Sequence, residues 1–473
     1  IFEQYCLILG ELFTQRNTVM LIRFVVENFF SFGERKEFTT IPSKRLKTLQ
    51  HHKYNYDDFN ILKIGSIYGA NGSGKSNLIK SLGLFQKLIL SDNYPSRLKN
   101  SKFKLNNPTD SQNQVLAVEF FQERTAYYYG IIIKDNIIVE EELYLSGLGK
   151  KKDVLLYIRK TDNESSTSIT FNKNFEKNEK ILLLKSILLE EFVKSDEPIL
   201  KLLSKRDNIL LNPIKVAFNW FQDSLQIITP SIRHLKLAHS IDVDKELNNY
   251  TKKLMCSFNL GITELISEKM DLHDFFSDVD DETIDKLISD VDDAPEKLIS
   301  LQNRNGNIII ITQEDGKYWV KNLKVGHKGK RDKSVFFNLS DESDGTIRLL
   351  DFVPAFNDLI SEEKVYIIDE VERSIHPLLI KQLIQKFSLD KTTKGQLFFS
   401  THESNLLDQE IFRQDEIWFI EKNIEGSSDL YSLNDFKEHK TIDIRKGYLS
   451  GRYGSVPFLG NLHDLNWNNL DSN

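Results

Sequence analysis

The chain has 473 residues, 40% of them hydrophobic and 28% charged, with a formal net charge of -7. These values describe a folded globular chain of about two or three domains, with no global attraction for nucleic acid or an anionic membrane. Two cysteines, Cys6 and Cys256, exclude a disulfide framework or a cysteine-built zinc site and point to a reducing, cytoplasmic setting; no apolar run reaches the ~18 residues that span a bilayer.

Residues 1–19 read as an N-terminal extension, with translation expected to start at Met20; a genuine N-terminal helix is the competing reading. Met20–Val26 is apolar and rich in β-formers, and Phe29-Phe-Ser-Phe-Gly leads from it to a second strand at Lys36–Thr40. Ile61–Tyr68 reads as one buried strand. It runs into Gly69-Ala-Asn-Gly-Ser-Gly-Lys75-Ser76, which matches G-x-x-x-x-G-K-[ST] in full and opens a helix that reaches about Leu90. The glycines let backbone N–H groups turn onto phosphate oxygens, and the helix N-terminus adds partial positive charge. Gly69, Asn71, Gly72, Ser73, Gly74, Lys75, Ser76 and Asn77 are therefore the candidate ATP-binding residues. Lys75 is expected to reach the β- and γ-phosphates, and the Ser76 hydroxyl to bind Mg²⁺.

Three strands follow between Val115 and Leu145, with Asp135-Asn136 as a hairpin turn, and Val154–Arg159 and Ser168–Phe171 continue the β pattern. Helical spacing takes over at Leu182–Leu203, Ile214–Leu225 and Lys245–Leu260. Glu268–Glu296 is acidic. Asp278, Asp280 and Glu282 have the spacing of an EF-hand start, but Thr283 stands where that loop needs Gly, so an acidic helix pair is favoured. Strands resume at Asn307–Thr312 and Lys317–Val320. The basic segment Lys324–Lys333 reads either as a phosphate-contacting patch, with Lys328, Lys330 and Arg331, or as an exposed loop.

The C-terminal part supplies the second half of a catalytic site. Ser343-Asp-Gly345-Thr346 enters an amphipathic helix, with Ser343 or Asp344 as its cap. Lys364-Val-Tyr-Ile-Ile-Asp369-Glu370 is an apolar strand ending in two acids, a Walker B pattern. Asp369 is expected to hold Mg²⁺, and Glu370 to orient or deprotonate the attacking water. Arg373-Ser-Ile-His376-Pro377 follows, with Pro377 opening the next helix. A further apolar strand, Gln396–Thr401, ends at His402.

Together these segments resemble the ABC-type ATPases of the SMC/RecF/overcoming-lysogenisation-defect kind, and most of all the stand-alone anti-phage defence ATPases of the PARIS AriA-like and RloB-associated sort. The residues that carry the resemblance are Met20–Phe32, Gly69–Ser76, Glu342–Arg348, Ile368–Pro377, Ser400–Glu403 and the tail Gly447–Phe458. The resemblance implies that His402 is a switch histidine touching the γ-phosphate. It implies that Ser343 and Gly345 form a signature closing over ATP bound by a second subunit. A Q-loop is not evident, with Gln122 a weak candidate. The fold class expected is α/β: an ABC-type P-loop head split by a long insertion, with a mainly helical inserted arm. The expected divisions are the extension 1–19, an N-terminal lobe 20–150, the arm 151–305 and a C-terminal lobe 306–473. The activity expected is Mg²⁺-dependent ATP hydrolysis in a homodimer or higher homo-oligomer. It would act in anti-phage defence with a phage-encoded trigger and a separate effector, a nuclease, since about 70 residues after His402 are too few for one. The alternative is a RecF/SMC-like repair ATPase that binds DNA.

Overall fold

The computed structural model describes residues 19–56, 59–91, 98, 100–105, 113–162, 164–206, 208–230, 236–294, 296–302, 307–330, 333–439 and 441–456. The extension 1–18, Arg331 and Pro457 lie outside the described residues. The chain opens with β1 (Val19–Glu27), β2 (Lys36–Thr39), β3 (Lys53–Tyr56), β4 (Phe59–Leu62), β5 (Ile64–Tyr68) and α1 (Lys75–Leu90). It continues with β6 (Gln114–Gln122), β7 (Thr125–Lys134), β8 (Ile137–Leu145), β9 (Val154–Thr161) and β10 (Thr167–Phe171). Then come α2 (Glu179–Ile187), α3 (Leu200–Ser204), α4 (Asn212–Asn219) and β11 (Leu225–Ile228). The middle holds α5 (Leu237–Val243), α6 (Lys245–Ser257), β12 (Ile262–Asp271), α7 (Leu272–Phe275) and α8 (Asp281–Asp293). It closes with β13 (Leu298–Gln302), β14 (Ile308–Glu314), β15 (Lys317–Lys328), β16 (Ser334–Asn338) and α9 (Asp344–Ser361). Last are β17 (Val365–Ile368), α10 (Pro377–Leu389), β18 (Gln396–Thr401), β19 (Ile417–Lys422), β20 (Ser428–Ser432) and α11 (Ile444–Leu449).

Two compact units result. The first comprises Ile1–Ile228, Glu362–Val371 and Gln385–Asn473, the second Thr229–Ser361 and Glu372–Ile384. In the first unit a seven-stranded antiparallel sheet runs β10-β9-β8-β7-β6-β1-β2, beside a six-stranded sheet ordered β11-β17-β18-β5-β19-β20. The first five strands of the latter are parallel, and β20 joins β19 antiparallel. Parallel strands must be covered on both faces, and β5, β17 and β18 are buried throughout. One continuous core joins the two sheets through α1: Phe85 stacks on Tyr129 at 5.6 Å, and Phe38 meets Phe398 at 5.4 Å and Trp418 at 5.1 Å. The buried Gln396 side chain stitches across, accepting from Leu21 N and donating to the carbonyls of Leu21 and Leu62. Asp135 and Asn136 both have positive φ, 51° and 66°, the primed turn that a two-residue hairpin requires.

The apolar run 61–68 divides at Lys63. Its buried amine donates to Phe387 O and Asp390 O at the C-terminal end of α10, so β4 pairs with β3 while β5 enters the parallel sheet. The helical run at Leu182–Leu203 breaks after a π-turn at Leu188–Phe192, ahead of Pro198. Here the fully buried Glu141 accepts from the amides of Ile199 and Leu200 and from the Tyr129 and Tyr157 hydroxyls. Ile214–Leu225 also ends in a π-turn, and Leu225 leaves it to start β11 beside β17. Residues 151–305, expected as a mainly helical arm, hold more helix than strand among the described residues, with five strands, β9 to β13, beside their helices. Residues up to Ile228 belong to the first unit.

The second unit holds an antiparallel sheet ordered β12-β15-β14-β13, with β16 added to β15. Its core gathers Leu272, Ile284, Val291, Ile309, Ile311 and Val320. The acidic segment is one strand end, one single-turn helix and α8 rather than a helix pair. Asp280 is spent as the N-cap of α8, accepting from Thr283 N, so it serves the helix and not a calcium loop.

Candidate active site

In the parallel sheet β18 lies between β17 and β5, with Phe399 opposite Ile368 and Thr401 opposite Tyr68. Three strands thus end side by side, and the next residues are Asp369, His402 and Gly69. Ligands in open α/β sheets bind at this carboxyl edge. Ser76 Oγ donates to Asp369 Oδ1 at 3.1 Å across 293 positions of sequence. Lys75 Nζ donates to the carbonyls of Gly69 (2.7 Å) and Ala70 (3.1 Å) and lies 3.2 Å from His402 Nδ1. Lys75, Ser76, Asp369, Glu370 and His402 therefore converge, while Ser343 and Gly345 belong to the second unit.

The loop owes its shape to its glycines. Gly72 and Gly74 have φ of 76° and 123°. A Cβ on Gly74 would come within 2.3 Å of Ser428 Oγ and 2.7 Å of Ser31 Oγ, and one on Gly69 within 2.4 Å of Ile420 O. Ser31 and Ser428 were not legible as site residues. Ser428 Oγ donates to Ser73 O at 2.6 Å and lies 2.8 Å from Ser31 Oγ, whose hydroxyl can donate to it, so both hydroxyls brace the loop from behind. The only advance signal was Ser31 inside Phe29-Phe-Ser-Phe. Asn71 and Gly72 are exposed at the mouth of the loop, and Asn77 is half-buried.

Ser400 was likewise missed. Its hydroxyl donates to Asp369 Oδ1 at 2.5 Å and accepts from Glu370 N at 2.9 Å, and its carbonyl accepts from Val371 N. These contacts hold Glu370 at φ 51°, a left-handed conformation that costs a non-glycine residue about 1–2 kcal/mol. A serine at the end of an otherwise apolar strand, two positions before His402, was the available signal. Gln122 is accounted for structurally: its side-chain oxygen accepts from Ser224 Oγ at 3.2 Å.

In the second unit, Ser343 is the cap of α9, with Thr346 N donating to its Oγ at 3.1 Å. A Cβ on Gly345 would lie 2.6 Å from Ser374 O, so close packing on the Ser374 turn demands glycine there. Pro377 opens α10, and His376 Nδ1 accepts from Leu378 N. Lys324, which opens the basic segment, pairs with Glu268.

The donor set fits a magnesium–triphosphate. Ser76 and Asp369 offer the two hard oxygens that Mg²⁺ needs when it keeps most of its waters. The Lys75 ammonium turns onto its own loop's carbonyls, and Ser73 Oγ is buried with no hydrogen-bond partner among the described residues. A cavity of about 290 Å³ borders Asn77, lined by Phe30, Phe103 and Leu105 with Lys102, Lys104 and Lys422. No helix among the described residues is long and apolar enough to cross a membrane.

No curated protein matches the chain. Among solved structures it is similar to an SMC head bound to the C-terminal winged-helix domain of ScpA, at 12% identity and a TM-score of 0.37, covering 88% of this chain and 99% of that one. It is also similar to an SMC head domain from Thermotoga maritima, at 10% identity and a TM-score of 0.36, covering 87% and 98%. Likenesses this distant carry no argument about function. The family described as "AAA domain, putative AbiEii toxin, Type IV TA system" matches residues 66–408, well over half of the chain and a span that holds both the phosphate loop and His402. By that match, and by a phosphate loop set at the carboxyl edge of a parallel sheet, the chain belongs to this family, AAA_21, and is a P-loop ATPase domain.

Proposed function

We propose that the protein is a Mg²⁺-dependent ATP hydrolase whose chains stack head to tail in pairs. The observation that carries this reading is the contact between Ser76 and Asp369, which joins the phosphate loop to the acidic strand end 293 residues away. Ser76 and Asp369 would hold Mg²⁺, which supplies charge neutralisation on the phosphates when bound. Lys75 binds and orients the β- and γ-phosphates. Glu370 takes the proton of the attacking water, and His402 orients the terminal phosphate beside Lys75. The cavity beside Asn77 seats the nucleoside. Ser343 and Gly345 of a second chain close the site, a role supported by an exposed hydroxyl at the N-terminus of an 18-residue helix.

We assign this ATPase to anti-phage defence, where it senses infection and controls a separate effector, a nuclease. The family description, which names a toxin of a type IV TA system, supports that assignment. So does the resemblance carried by Gly447–Phe458. Phosphate release and plaque counts test the two parts separately. Glu370→Gln is expected to keep ATP binding and lose about 100-fold or more in hydrolysis. Lys75→Ala is expected to lose ATP binding and protection together. Full hydrolysis by the first variant would refute the site, and full protection by the second would refute the link to defence.

A further inference from the structure

The turn that carries Ser343 is tied to β15 at two places. Side chains alternate along a strand, so Leu323, Val325 and His327 share one face of β15. Leu323 and Val325 are buried, which fixes the strand beneath His327. His327 Nε2 lies 2.7 Å from Glu342 Oε1. A carboxylate only accepts, so Nε2 carries the hydrogen and donates it. The Glu342 side chain is 9% exposed, and His327 is the one side chain that bonds it among the described residues. The Phe337 ring meets the imidazole edge to face at 5.5 Å. The second tie is Asn338, whose Oδ1 accepts from Lys324 Nζ at 2.8 Å and from Asn322 Nδ2 at 3.3 Å. Between the ties the chain makes one tight turn, Leu339–Asp341, closed by Glu342 N on Leu339 O. The next residue is Ser343, the cap of α9. All of these residues belong to the second unit.

We infer that His327 is a positioning residue for ATP hydrolysis: by holding Glu342 it sets where Ser343 stands when Ser343 closes over the nucleotide of another chain. The inference rests on the proposed shared site. Without the imidazole, a nearly buried carboxylate loses its partner and has to turn toward water, and it carries the adjoining Ser343 with it. His327 therefore acts on the rate at the other chain's phosphate loop and not at its own.

That asymmetry gives the test. A Lys75→Ala chain can supply only the signature of a working site, and a Ser343→Arg chain only its phosphate loop. Neither should release phosphate alone, and their equimolar mixture should. His327→Ala added to the Lys75→Ala chain should lower the recovered rate about 10-fold or more. The same change in the Ser343→Arg chain should leave the rate unaltered. His327→Gln in the Lys75→Ala chain puts an amide nitrogen where Nε2 stood, still donates, and should restore most of the lost rate. Equal loss from both placements would show that His327 serves folding alone. Loss from neither placement, or a glutamine variant as slow as the alanine one, would show that the bond to Glu342 does not place Ser343. Each of these results overturns the inference and leaves the shared site standing. A mixture that is inactive with His327 intact refutes the shared site itself, and the inference falls with it.

Discussion

Ser400 connects the two acids of the site through one hydroxyl. Its Oγ fixes Asp369 Oδ1 and receives the Glu370 amide, so the carboxylate proposed to hold the metal and the left-handed turn beneath the proposed general base share one anchor. Removing such a partner leaves the ligand in place but badly aimed, which lowers activity about 10–100-fold. Ser400→Ala is expected to lower kcat within that range and to change KM for ATP far less, because Lys75 and the loop amides still bind phosphate. Steady-state kinetics separate the two. Equal losses in kcat/KM through KM alone would show that Ser400 serves binding. The residues with the motif chemistry, Lys75, Ser76, Asp369 and Glu370, were legible because each occupies a fixed place in a short pattern. Ser400, Ser428 and Ser31 were not, because their partners are set by sheet order and not by neighbours in sequence.

Lys63 shows how one residue redirects an element. Its position inside an apolar run gave no sign that the run divides, since the acceptors of its amine lie more than 320 positions away. Burial lowers its pKa from 10.5 to about 8, against the opposing pull of Glu416 and Asp390. An unfolded chain keeps this lysine protonated up to its ordinary value, so between about pH 8 and 10.5 the unfolded state binds more protons. The contribution of this group to stability therefore rises with pH across that window and is lost as pH falls through about 8. Lys63→Met removes the difference. Urea titrations at pH 7.5 and 9.5 should show the wild type gaining on the variant as pH rises, and a constant gap would contradict the burial of the charge. β1, α1 and β6 to β10 were legible as elements because their apolar patterns are long. β11 was hidden because its first residue, Leu225, closes a helical run, and its strand character comes from β17, whose Val365–Ile368 it pairs with. β12 was masked by its acidic composition, and β16 by the basic segment before it.

At the scale of the whole molecule, the sequence placed the phosphate loop and the acidic strand end far apart and required them to meet. They do so within one parallel sheet whose strands come from both ends of the chain. The inserted portion holds more helix than strand among the described residues, and β12, at its heart, pairs with β15 beyond it. Ser343 and Gly345 stand in the second unit, and in the proposed dimer they close over the nucleotide of another chain. Mixing two inactive variants tests this most directly. Lys75→Ala lacks a working phosphate loop but keeps Ser343, while Ser343→Arg keeps the loop and blocks the signature. Each alone should release no phosphate above background. In an equimolar mixture, half the dimers are mixed and each has one complete site, so about a quarter of the wild-type rate should return. A mixture that stays as inactive as its components would contradict the shared site.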